Sequence, residues 1–381
     1  MRSSNIISIC KNWRKQLHQF PELSGKEFQT AQRIESFLRG LQPKHLITKV
    51  GGTGILATFS NGLAGNSLLF RAELDALPIQ EINAFEHRSQ HAGIAHKCGH
   101  DGHMSILLGL AHYLSEDQHF QGEVHLLFQP AEETGAGALA VLADERFLNY
   151  SFDYAFALHN LPGFPLGQVL YKKDSITASV KSLILKLEGK TAHAAEPEHG
   201  INPAAAIAKI IQLLPQLSIP TPQHPDFSLL TPVHLLMGEK AYGVSAGYGE
   251  LHLTLRSWTE NRMKKISTTL LEQANQIAQE ENLQFQWEWT DCFQANTNDA
   301  QAVAILLQSL EQLPYEVQEM IIPLKWGEDF GAFSQRYQGV FFGLGAGIHC
   351  PALHNPDYDF PDELLEIGIH IFEKIIEIAN K

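Results

Sequence analysis

His96-Lys97-Cys98-Gly99-His100-Asp101-Gly102-His103 gathers four kinds of metal-binding or acid–base side chain, with two glycines free to turn between them. Cys98 and His100 stand two apart, so an extended or turned tripeptide offers both to one ion. Thiolate at about 2.3 Å and imidazole at about 2.0–2.1 Å suit Zn²⁺, with Mn²⁺, Co²⁺ or Ni²⁺ as alternatives. The apolar run Met104–Leu114 behind them reads as a buried helix. The cluster is then expected at a helix N-terminus, whose dipole should lower the Cys98 thiol pKa. The bland alternative is a His-rich turn around one packed cysteine.

The elements that must position this chemistry are apolar runs that end in reactive residues. Ser67–Arg71 leads into Glu73 and Asp75 and stops at Pro78. Gly122–Gln129 ends in Pro130-Ala131-Glu132-Glu133, and Tyr154–His159 is closed by Asn160-Leu161-Pro162. Ligands collect beyond the carboxyl ends of strands in open α/β sheets, so this recurrence favours a site over chance. Adjacent carboxylates at the mouth of a buried strand are costly unless a cation receives them. Cys98, His100, Glu132, Glu133, His159 and His354 together exceed the needs of one tetrahedral zinc, and a two-metal site follows. Hydrolysis of an amide also needs a proton for the leaving nitrogen, so one of Glu132 and Glu133 should stay off the metal as general base. Spacing does not say which.

At 381 residues and 44% hydrophobic, the chain has length for about two domains. A formal net charge of −14 with no basic block argues against nucleic acid as a partner. The four cysteines lack disulfide-like spacing, no apolar run approaches the ~18–20 residues of a membrane span, and the N-terminal run is too short for a signal peptide. A cytoplasmic protein with no membrane partner is expected. Helical spacing covers Ile6–Phe20 and Glu27–Leu41, split by Pro21. From Ser175 the texture changes to strand Val180–Leu187, a loop with His193, helix Asn202–Leu214, a Pro-rich passage, strands Ser228–Met237 and Gly249–Trp258, helix Met263–Glu281 and strand Gln284–Thr290. That order predicts an α+β insert. Helix Asp299–Leu313, strand Gly339–Gly345, a loop with His349 and His354, and helix Asp362–Ala379 resume the α/β pattern. His18 is expected to cap or pack, Asp75 to orient a ligand His through its ring N–H, Asp101 to do the same or cap a helix, and His103 to be structural.

Cys98-Gly99-His100-Asp101-Gly102-His103, Gln129-Pro130-Ala131-Glu132-Glu133, Leu158-His159 with Pro162, Gly189-Lys190-Thr191-Ala192-His193, Glu328-Asp329-Phe330 and Leu353-His354 together resemble a metallo-amidohydrolase family. It includes hippurate hydrolase, N-acyl-amino-acid amidohydrolase and the plant auxin-conjugate hydrolases, within the aminoacylase/carboxypeptidase-type di-metal exopeptidases. The resemblance runs in order from about His18 to the C-terminal helix. It implies an α/β, phosphorylase/hydrolase-like di-metal catalytic domain over 1–174 and 296–381, with a mixed sheet between helices. A ferredoxin-like α+β lid and dimerisation domain would occupy 175–295. By resemblance Cys98, His100, Glu133, His159 and His354 hold two divalent ions (Zn or Mn, with Co or Ni as alternatives), and Glu132 is the base. His193 acts on the substrate from the lid, and Asn160 and Arg256 bind it. The expected substrate is a small N-acyl amino acid, and the expected assembly a homodimer. Gly243-Val244-Ser245-Ala246 stands where relatives carry Asn-Val-Ile-Pro, and Gly327 where Ser is usual, which bears on substrate identity. Two rivals are a dipeptidase or carboxypeptidase acting on unblocked peptides, and a metal-binding module without turnover. The second has no need of Glu132.

Overall fold

The computed structural model describes residues 2–117 and 119–381. Helices α1 (Arg2–Gln19) and α2 (Phe28–Gly40) open the chain. There follow β1 (His45–Val50), β2 (Gly54–Ser60), β3 (Ser67–Glu73), α3 (His100–Glu116), β4 (Glu123–Gln129), α4 (Gly137–Ala143), β5 (Tyr154–Leu161) and β6 (Val169–Tyr171). The middle block is β7 (Ser179–Glu188), β8 (Ala192–His193), α5 (Ala204–Leu217), β9 (Ser228–Met237), β10 (Val244–Ser245), β11 (Tyr248–Ser257), α6 (Glu260–Glu280) and β12 (Gln284–Phe293). The chain closes with α7 (Ala300–Leu310), β13 (Val317–Glu319), α8 (Gly331–Ser334), β14 (Gln338–Gly345) and α9 (Glu363–Ala379). No described helix is long and apolar enough to cross a membrane.

Two compact units result. One runs to Ile176 and takes up Asn296–Ile321 and Glu328–Lys381; the other is Thr177–Ala295 with the short return segment Ile322–Gly327. In the first, an eight-stranded mixed sheet has the order β1-β2-β4-β3-β5-β14-β6-β13. Its centre, β4-β3-β5-β14, is parallel, so four carboxyl ends share one edge. These strands are buried along almost their whole length, which is why they read as continuous apolar runs rather than alternating ones. α3 is apolar on nearly every face because it is enclosed, packing against α1 and α9.

The second unit is a four-stranded antiparallel sheet, order β12-β7-β11-β9. With α5 between β7 and β9 and α6 between β11 and β12, it is ferredoxin-like. Leu183, Leu185, Leu187, Leu251, Leu253 and Leu255 alternate inward against Ile207 and Ile210 of α5 and Met263, Ile266 and Leu270 of α6. Three local expectations change. β5 continues two residues past His159, because the polar Asn160 side chain is satisfied inside. Ala192 and His193 pair with Ser245 and Val244 rather than lying in open loop. Pro215 sits inside the last turn of α5 rather than beyond its end.

Candidate active site and metal centre

The site of the first unit is assembled where the parallel strands end. Gly99 is the N-cap of α3 at φ +98°, and any Cβ there would strike the Asn160 amide. That turn presents Cys98 and His100 together. Cys98 Sγ lies 3.4 Å from His159 Nε2. Donor atoms within 4.8 Å of one another form the triads Cys98–His100–His159, Cys98–Glu133–His354 and His100–Glu132–Glu133. Two of the backbone turns are strained. Ala131, before the Glu pair, has φ +51°, and His354 has φ +66°. Each is over-determined by its surroundings: Ala131 N donates to Glu27 Oε1 at 2.9 Å, and His354 N donates to Lys97 O at 2.8 Å.

Electrostatics tests whether this donor set fits cations. Burial, then the neighbouring carboxylates, push the Cys98 thiol well above its ordinary range. Cys98 does precede the N-terminus of α3, as expected, but burial and the Glu133 and Glu132 carboxylates act on the thiol in the direction opposite to the helix dipole. Burial and then Glu328 and Glu133 raise Glu132 well above the carboxylate range. Burial lifts Glu133 to about 7. Burial opposes charge on His100, yet Glu73, Asp75 and Glu133 overcome it and hold that group at about 10. His100 Nε2 and Glu133 Oε1 are buried with no hydrogen-bond partner. Thiol, imidazole and carboxylate groups packed this closely, with buried polar atoms left unpartnered, are what divalent cations relieve by taking the place of the protons. The residues fit the metal.

The surroundings sort the remaining candidates. His100 Nδ1 meets the Asp75 backbone carbonyl at 2.9 Å, while the Asp75 carboxylate is 3.5 Å away. Asp75 Oδ2 accepts instead from Ser24 Oγ and from Glu133 N. Thus Asp75 orients His100 through its main chain and braces Glu133 through its side chain. Asp101 neither caps α3 nor holds a ligand His; its Oδ2 is 2.9 Å from His18 Nδ1. His18 is buried, bonded to Glu81 as well, and held near 9 by Asp101 and Glu81 although burial alone would lower it. His18, Asp101 and Asp359 could geometrically hold an ion, but the Arg14 guanidinium already lies 2.7 Å from Asp359 and 3.5 Å from Asp101. That cluster is neutralised from within.

Asn160 requires a correction. Its side chain is fully buried, with Oδ1 2.6 Å from His103 Nε2 and Nδ2 donating to Tyr358 Oη at 2.6 Å. Committed at both ends, it positions neighbours rather than touching substrate. Arg71 was missed. It lies in the middle of β3 with 1% exposure, against Glu73, Glu328 and Asp329. Its signal was a charged residue inside an apolar strand two positions before a carboxylate.

Residues 69–378 match the model of peptidase family M20/M25/M40. The chain belongs to that family. It is a metal-dependent hydrolase of amide bonds. Its sequence is 31% identical over 335 residues to an N-acetyl-L-cysteine deacetylase of Bacillus subtilis, covering 87% of this chain and 79% of that one. It is 28% identical over 369 residues to an N-acetyldiaminopimelate deacetylase of Anoxybacillus flavithermus, covering 96% of each. Among solved structures, the Bacillus subtilis YXEP protein, described as a dinuclear metal binding peptidase from the M20 family, superposes with TM-score 0.84 at 26% identity. The match covers 99% of both chains.

Two candidates of this M20 chain lie in its second unit. His193 is exposed, and its Nδ1 accepts from Ala195 N at 3.1 Å. That bond places the ring proton on Nε2, leaving a hydrogen-bond donor facing outward. Arg256 is partly buried, donates from Nη1 to Lys325 O at 2.6 Å, and is lowered by burial.

Proposed function

We propose that this M20 hydrolase cleaves the amide of small N-acylated amino acids at two divalent ions, releasing a carboxylic acid and a free amino acid. The observation that carries the reading is Cys98, which belongs to two donor triads at once. One ion would be held by Cys98, His100 and His159, the other by Cys98, Glu133 and His354. Bound there, the ions supply positive charge that polarises the amide carbonyl and acidifies water. Glu132 is held differently from Glu133: its Oε1 accepts from Asp329 N at 3.3 Å, and its Oε2 is 3.9 Å from His100 Nε2. With one oxygen tethered and the other turned to the donors, Glu132 takes the proton of the attacking water and returns it to the leaving nitrogen. His193 Nε2–H serves the negative charge that develops on the carbonyl oxygen. Four free cysteines suit a reducing compartment such as the cytoplasm.

The names of the deacetylase relatives support an N-acyl amino acid over an unblocked peptide. The resemblance to hippurate and auxin-conjugate hydrolases widens the acyl group to aromatic ones. Incubating the Zn²⁺- or Mn²⁺-loaded protein with N-acetyl, N-benzoyl and indoleacetyl amino acids beside free dipeptides separates the readings. Release of free amino acid from blocked substrates, with dipeptides left intact, is expected. Preferential cleavage of dipeptides would make the protein a peptidase instead.

A further inference from the structure

We propose that Arg71, acting through Asp329, is a positioning residue for Glu132; the inference rests on Glu132 being the general base. A fully buried guanidinium is expensive to desolvate and adds little net stability over apolar packing, so what Arg71 can supply is the geometry of its contacts. Every edge of this one is used. Nε donates to Gln129 Oε1 at 2.9 Å, Nη1 to Glu73, and Nη2 to Glu328 Oε1 at 2.8 Å and Asp329 Oδ1 at 2.5 Å. Asp329 is gripped from two more directions. Gln129 Nε2 donates to its two oxygens at 2.9 and 2.8 Å, and Ala138 N, in the first turn of α4, donates to Oδ2 at 2.9 Å.

The Asp329 carboxylate is held from three sides, and the N–H of the same residue is the group that tethers Glu132 Oε1. On its other flank the same guanidinium holds Glu73, whose Oε2 lies 2.7 Å from His103 Nδ1. His103 Nε2 in turn holds Asn160, the residue after His159. One cation therefore registers the ends of β3, β4 and β5 against the Glu328-Asp329 loop. The base and a metal-bearing strand end are set relative to each other by a rigid fork, which a lysine cannot reproduce.

Crystal structures of the Zn²⁺-loaded wild type, Arg71→Lys and Asp329→Asn, with kinetics on a blocked amino acid, test this. In Arg71→Lys, Glu132 should leave Asp329 N, and kcat should fall about 10–100-fold with KM within about twofold and both ions retained. Asp329→Asn, which keeps the shape and loses the charge, should shift Glu132 and kcat in the same direction by less. It suffices alone if Arg71→Lys does not fold. Glu132 keeping its tether in the variants overturns the proposal, whatever the enzyme hydrolyses; so does an unchanged kcat in an active enzyme. A wild type that cleaves no blocked amino acid, with Glu132 displaced in the variants, upholds the positioning and removes the functional reading.

Discussion

Cys98 is the residue shared by the two triads proposed to hold the two ions, Cys98–His100–His159 and Cys98–Glu133–His354. Removing it should therefore have a larger effect than removing either histidine that completes a triad. Cys98→Ala is expected to retain no tightly bound ion after dialysis, whereas His159→Ala and His354→Ala should each retain about one. Elemental analysis of the three proteins decides it, and one retained ion in Cys98→Ala would mean the sulfur serves a single site. The adjacent glutamates divide in the same way. Glu132→Gln should keep both ions and lose about 10²–10⁴ in kcat. Glu133→Gln should lose an ion, since its Oε2 is 3.6 Å from His354 Nε2 and its Oε1 3.8 Å from His100 Nε2. Metal titration of both variants distinguishes this assignment from the exchanged one.

At the scale of elements, what was legible were strand ends and what was hidden were side-chain commitments. β3, β4 and β5 announced themselves because strands buried on both faces leave unbroken apolar runs. The end of β5 was misplaced because Asn160-Leu161-Pro162 reads as a stop, and only tertiary partners, His103 and Tyr358, make a polar residue affordable there. β6 and β13, three residues each, are too short for any periodicity to register. His18, taken for a cap or packing residue, meets Asp101 across 83 positions of sequence, a distance no local pattern spans. α9 carries a pH dependence of its own. Burial and the nearby Asp117 raise Glu373 from 4.5 to about 7. The folded state thus holds a proton that the unfolded chain releases near its ordinary pKa. Its contribution to stability is present below about 4.5 and lost as pH rises through about 7. Glu373→Gln should accordingly melt higher than wild type at pH 8 and converge with it near pH 4.5. Equal melting temperatures at both pH values would place the carboxylate in full solvent contact.

Across the whole molecule, the candidate residues fall in units that are not contiguous in sequence. Cys98, His100, Glu132, Glu133, His159 and His354 belong to the first unit, and His193 to the second. The change of texture near Ser175 marked the entry to the second unit, but the return segment Ile322–Gly327 has no compositional marker, since its membership is decided by contact alone. If His193 serves the developing oxyanion, His193→Ala should leave the ion content unchanged and lower kcat by about 10²–10³, far more than it raises KM. A near-normal kcat would make it a solvated surface histidine. The central claim, amide hydrolysis at a two-ion centre, is tested most directly by returning metal to chelated protein in measured equivalents while following release of amino acid from an N-acyl substrate. The account predicts no hydrolysis without metal and a rise that levels off at two equivalents per chain. Full hydrolysis by metal-free protein, or saturation at one equivalent, would contradict it.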